Sequence, residues 1–257
     1  MKISKILIVS KFTFLEIYKS KIMINIFLSG AVLAILCYIV SEFSFGNPSK
    51  VALDVGLGLL SLTTKAIAIF FGANLLKKEI ESRTIYLILS NPISRPEFFV
   101  GKTLGLFMIL LLNTVILGVF TTIFYYYWDG VWSDLIFWSG VHIFLESILI
   151  LVIVLFFSLI TNLNLAIIFS ISTYISGYAI RGVQEIGLVK SSPILSKSLS
   201  YISYIIPNFS LFNLKNEVLY QQALPPTYIM KSLVYSLVYS SFVVCGAIII
   251  LNQKDLD

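Results

Sequence analysis

Six runs of apolar residues, separated by short polar breaks, account for most of this 257-residue chain. They span Ile22–Ser41, Val51–Leu76, Phe98–Tyr127, Leu135–Ile160, Leu163–Ile180 and Ile229–Leu251. A helix needs about 20 apolar residues to cross the hydrocarbon core of a bilayer, where every backbone polar group must find its partner internally. The pattern predicts an all-α integral membrane protein: a six-span helical bundle forming a single transmembrane domain over residues 1–257. The third run is longer than a bilayer requires, which puts its first turns at a membrane surface. The fifth is short and rich in Ser and Gly. No sequence repeat relates the two halves.

Three segments outside these runs have their own character. Residues 1–21 place Ile3, Ile6, Leu7, Phe14, Ile17 and Tyr18 close to one helical face, with Lys5, Glu16 and Lys19 opposite, although Ile8, Val9 and Phe12 blur the stripe. The expectation is an amphipathic interfacial helix. Residues 77–97 begin as a charged helical stretch, and Pro92 and Pro96 are expected to end any helix there. The segment 181–228 is the largest piece between spans; its mildly apolar run Tyr201–Ile206, stopped by Pro207, suggests short helices lying on or dipping into the membrane surface.

Charge then sets orientation. Only 12% of residues are charged and 58% are hydrophobic, whereas a soluble domain carries about a quarter charged residues. Net charge is +5, and with six spans 11 of the 18 Lys and Arg fall on the side of both termini, six fall opposite, and Lys65 lies inside a span. The positive-inside rule makes the termini cytoplasmic and residues 181–228 external, so topology accounts for the basic balance without nucleic acid. Five lysines spread from Met1 to Lys21 exclude the pattern of a cleavable signal peptide. Two cysteines, one histidine and no CxxC argue against a metal site built by this chain alone.

Residues 77–105 read KKEIESRTIYLILSNPISRPEFFVGKTLG. An acidic start, Arg-Thr, a short apolar run, Pro-Ile-Ser-Arg and Gly-Lys opening the next span closely resemble the signature of ABC-2-type transporter permeases. Within them, the chain is most similar to the permeases associated with nitrous-oxide-reductase maturation, which the stretch from Pro207, PNFSLFNL, also resembles. Many members of the wider family have Gly where Arg83 stands here. The resemblance implies a cytoplasmic coupling helix in the loop between the second and third spans, seated on a separate ATPase subunit that binds the ATP and Mg. It places Glu79, Glu81, Arg83, Thr84, Leu87, Leu89, Pro92 and Arg95 at that docking surface. It further implies two ATPase copies, a second permease copy forming a homodimer, export across the plasma (inner) membrane, and no catalytic residue or bound cofactor in this chain. The same subgroup raises an alternative, in which ATPase strokes are transmitted through residues 181–228 to a periplasmic or extracellular partner with no solute flux. The residues themselves leave a bland reading of the loop open, a membrane-hugging turn with solvated charges.

Gly101-Lys102-Thr103 mimics the end of a phosphate-binding loop, but that pattern needs glycine at position 96, which is proline. Gly101 and Gly105 form a small-xxx-small pair, for which helix packing is the default reading. His142 and Glu146 lie one turn apart on the fourth span, where ionisable groups are functional candidates. Lys65 sits about 14 residues from the outer surface and Glu146 about 11, so at about 1.5 Å per residue their depths differ by about 5 Å. Asn113 falls near the same level. These residues form an expected mid-membrane polar cluster, either an ion pair that fixes packing or a contact on the transport path. Ser139 beside His142 raises an intramembrane hydrolase, a weak constellation without a second catalytic span.

Overall fold

The computed structural model describes residues 3–20, 22–43, 46–81, 93–131, 133–185, 201–203, 205–222 and 224–253. The described residues form eight α-helices and one 3-10 turn: α1 (Ile3–Tyr18), α2 (Ile22–Glu42), α3 (Pro48–Glu81), α4 (Arg95–Tyr127), α5 (Asp134–Ile160), α6 (Leu163–Glu185), the turn Phe209–Phe212, α7 (Lys215–Leu219) and α8 (Pro226–Gln253). Five of them, α3, α4, α5, α6 and α8, contain a stretch long and apolar enough to cross a membrane. In α2 the run Ile26–Val40 is apolar but shorter.

The bundle is organised around α5. Seven successive residues, Leu149 to Leu155, are all buried, so no face of this stretch is left for lipid. A helix apolar all round is stable only when enclosed, and α5 packs against α3, α4, α6 and α8. The outer helices show the reverse. Phe242, Leu237 and Val238 on α8, Ile168 and Ile175 on α6, and Phe27 and Leu28 on α2 are exposed. A surface this apolar needs hydrocarbon around it.

Two helices are far longer than the bilayer. At about 1.5 Å per residue, α3 and α4 each reach roughly 50 Å, against a hydrocarbon core of about 30 Å. Their excess lies at the same end, where α3 finishes with Lys77–Glu81 and α4 begins at Arg95. Pro96 does not terminate a helix as its neighbourhood suggested. It occupies the second position of α4, where its missing N–H is one that the first turn leaves unbonded anyway. Ser94 is the cap: its hydroxyl accepts from the Glu97 N–H, and the Glu97 carboxylate accepts from the Ser94 N–H.

The N-terminal helix packs on the bundle by a face that shares only Ile6 and Ile17 with its apolar stripe. Its buried face is Ile6, Val9, Ser10, Thr13 and Ile17, while Ile3, Leu7, Ile8 and Phe12 are exposed. The reason lies on α4. A Cβ at Gly101 would stand 2.7 Å from Val9 Cβ, and one at Gly105 would stand 2.6 Å from Thr13 Cβ. The small-xxx-small pair thus seats α1 within the same chain, and small or polar residues face it because larger ones do not fit.

Residues 205–222 fold back onto the bundle. Phe209 and Phe212 are completely enclosed, and the Pro207 carbonyl comes so close to α6 that a Cβ at Gly177 would lie 2.3 Å from it. Three tyrosines of α8 hold this segment: the Tyr235 hydroxyl accepts from the Asn208 N–H, while Tyr228 and Tyr239 donate to the carbonyls of Leu211 and Ile205.

Candidate functional site

The polar residues of the spans converge beneath this folded-back segment. Lys65 on α3 and Glu146 on α5 meet at 2.9 Å, with side chains 13% and 2% exposed. Two tyrosines one turn apart on α6 complete the group. Lys65 donates to the Tyr174 hydroxyl at 2.6 Å, and Tyr178 donates to the second Glu146 oxygen at 2.7 Å. The Lys65 ammonium also stands 4.8 Å from the Tyr174 ring centroid. A buried ion pair holds when both partners' remaining donors and acceptors are satisfied, and here both carboxylate oxygens are bonded. A cavity of about 430 Å³ opens above the pair, lined also by Ser61, Ser139, Phe212 and Lys215.

Asn113 and His142 are not part of this pair. The Asn113 amide donates to Thr64 at 2.9 Å, and its buried oxygen has no partner among the described residues. His142 has its ring nitrogens 2.8 Å from the Trp138 carbonyl and 2.7 Å from the Ser232 hydroxyl. Ser139 donates to the Ile136 carbonyl at 2.7 Å. The serine and histidine are therefore each engaged elsewhere, and the geometry of an activated nucleophile is not formed between them.

A second cluster lies where α3 and α4 run beyond the membrane. Lys102 Nζ is 2.5 Å from Glu79 and 3.5 Å from Glu16, and Lys78 reaches the other Glu16 oxygen at 3.0 Å. The chain of charges ties α1 to the end of α3 and the start of α4. Partial burial raises the Glu16 carboxyl pKa, but Lys78 and Lys102 outweigh it and hold the carboxyl below its ordinary range. Arg95 turns to the last helix and donates to the carbonyls of Leu251 and Asn252 at 3.0 and 3.2 Å. A cation at a helix C-terminus satisfies carbonyls that have no partner within the helix.

Of the residues expected at the ATPase surface, Glu79 and Arg95 therefore face the chain's own helices. The Glu81 backbone closes α3. Arg83, Thr84, Leu87, Leu89 and Pro92 lie outside the described residues. Sequence reasoning overlooked Tyr174, Tyr178, Lys102 and Glu16. The two tyrosines carried a usable signal: an i, i+4 aromatic pair with polar tips on a membrane helix needs a polar neighbour at its own depth.

No curated protein matches the sequence. The chain does match a protein family over residues 3–256, from the start of α1 past the end of α8, and that family is described as ABC-2 family transporter protein. With its apolar helices and its length accounted for almost end to end, this multi-pass membrane protein belongs to the ABC-2 transporter family.

Proposed function

We propose that this chain is the membrane-spanning permease subunit of an ABC transporter, driven by a separate ATPase that docks on the segment between α3 and α4. The observation that carries the reading is the family match over residues 3–256, and the loop roots support it. Segment 82–92 follows the end of α3, where Glu79 is ion-paired to Lys102, and precedes the capped start of α4 at Ser94. A push on such a segment travels into two long helices instead of being absorbed locally. In this reading Glu81, Arg83, Thr84, Leu87, Leu89 and Pro92 meet the ATPase, while Glu79 and Arg95 transmit its motion.

The finer reading takes α2 as the sixth span, places both termini in the cytoplasm and lays α1 along the inner leaflet. Two copies of the chain pair with two ATPases in the plasma (inner) membrane and export substrate along a path near their interface. The subgroup is that of the maturation permeases resembled by 77–105 and PNFSLFNL. The test is purification of the tagged chain from its native membranes. An ATPase should accompany it, and Arg83→Glu or Leu87→Asp should release that ATPase while the chain remains folded. Retention of the ATPase by both variants would refute docking at this loop.

One observation favours transmission of force to an external partner. The 205–222 segment is keyed against α5 and α6 through Phe209 and Phe212 and bonded to α8 through Tyr228, Tyr235 and Tyr239, so movement of these helices would be carried to it. That alternative requires a periplasmic or extracellular protein that co-purifies, and no solute flux.

A further inference from the structure

The cavity above Lys65 and Glu146 has an unequal charge balance. Among the described residues, three charged side chains line it: Lys65, Glu146 and Lys215. Both Glu146 oxygens are already bonded, so the carboxylate offers little to an incoming cation. Lys65 uses two of its three donors on Glu146 and Tyr174, and the same side chain lines the cavity. Lys215 pairs with Asp54 at 2.8 Å, yet those side chains are 37% and 45% exposed, and a pair so exposed exchanges readily with a competing anion.

The route between the two lysines is built along one face of α3. Gly58, Ser61 and Lys65 follow at helical spacing, and the Lys215 ammonium lies 3.6 Å from where a Gly58 Cβ would be. The missing side chain keeps the path open, and seven residues of helix separate mouth from floor by roughly 10 Å. Leu57, Ile143, Ile175 and Leu214 supply apolar wall. The volume, about 430 Å³, falls within the range of about 300–1,000 Å³ usual for small-molecule sites.

We propose that this cavity is a water-filled vestibule, open to the outer face within a single copy of the chain, that draws in a small amphiphilic anion and holds its charged group between Lys215 and Lys65. The proposal rests on the topology above, which puts the start of α3 outside, and it adds a ligand class that the topology does not supply. The mouth lysine captures the anion, the glycine-serine face lets it pass, and the Lys65 donor receives it beside the two tyrosines. Hydration from this side also makes a lysine tolerable at that depth.

The test uses the full chain in liposomes with Cys37 and Cys245 replaced by Ala and a single new thiol, Ser61→Cys. Membrane-impermeant methanethiosulfonates of opposite charge are added from outside, with Lys50→Cys at the start of α3 as the control for sidedness. The sulfonate-bearing reagent should modify Ser61→Cys roughly tenfold faster than the trimethylammonium one after correction for intrinsic reactivity, because the two lysines leave the cavity lining with an excess of positive charge. Adding Lys215→Gln should erase most of that preference. Octyl phosphate should protect the thiol at concentrations where inorganic phosphate and octyltrimethylammonium do not.

Labelling of Lys50→Cys without Ser61→Cys overturns the vestibule. Faster cationic labelling, or no protection by octyl phosphate, overturns the anion. Equal protection by inorganic phosphate overturns the apolar stem. Labelling of both thiols solely from the opposite side overturns the orientation, a failure distinct from the others.

Discussion

At mid-membrane, Lys65 and Glu146 keep 13% and 2% of their side-chain exposure; at the loop root, Lys78 and Glu16 keep 74% and 48%. Both are lysine-glutamate pairs at about 3 Å, so their chemistry is the same and their solvent differs. Even beside the cavity Glu146 is only 2% exposed, so unpaired it would incur most of its desolvation cost, and the tyrosines satisfy what the pair leaves over. In water, the same contact is screened and its loss is covered by hydration. Lys102, 7% exposed and 2.5 Å from Glu79, is as enclosed as the inner pair and anchors the outer cluster to the bundle. The inner pair thus joins α3 to α5 in a largely enclosed setting, whereas the outer one is open to exchange with water.

Breaking the inner pair should have the largest effect. Lys65→Met leaves Glu146 buried without its cation and should cost about 3–5 kcal/mol, read as a fall in thermal stability in detergent. The double variant Lys65→Met/Glu146→Leu should recover most of it, since exchanging both partners for apolar groups removes the penalty. A single variant as stable as the parent would show that the pair is not structural.

Gly105→Val comes next. Its Cβ would begin 2.6 Å from Thr13 Cβ and 2.9 Å from the Ser10 carbonyl, so α1 must shift. Overpacking of this kind costs about 1–3 kcal/mol. Faster proteolysis near residues 3–20, with the remaining bundle intact, would register it.

Arg95→Ala removes the donor to the last carbonyls of α8, an interaction worth about 0.3–1 kcal/mol at a helix C-terminus. Amide exchange should rise at residues 250–253 before it rises elsewhere.

Lys78→Ala should be smallest, within about 1 kcal/mol and shrinking further as salt is added. Glu16 adds a pH signature of known sign. Its folded pKa lies below the unfolded one, so its contribution is present above the unfolded pKa and fades as pH falls through the folded value. Comparing Glu16→Gln with the parent across the acid range measures it; a contribution that grows on acidification would contradict the assigned pairing.

The sequence disclosed five helices long and apolar enough to cross a membrane because lipid imposes a single rule, continuous apolar length, on each of them; within the sixth expected span, Ile22–Ser41, the apolar run Ile26–Val40 is shorter. Where partners come from distant parts of the chain, it disclosed less. In α1, helical periodicity picked out the apolar stripe but not the residues that seat on α4, where two glycines select Val9, Ser10 and Thr13. Pro96 was read as a stop, since the cap formed by Ser94 and Glu97 decides whether a proline ends a helix or begins one. Depth counting put Lys65 and Glu146 at one level, and they do meet; it put Asn113 there too, yet depth carries no azimuth and Asn113 turns to Thr64. Likewise, no local pattern told that Arg95 would reach the far end of the chain.

Side-specific labelling of the loop bears most directly on the central claim. A single thiol at Leu87→Cys should react from the cytoplasmic side of sealed native membranes, lose that reactivity when the ATPase is bound, and regain it when the ATPase is stripped away. A thiol that reacts only from outside, or one equally reactive with and without an ATPase while the protein remains fully active, would contradict the account.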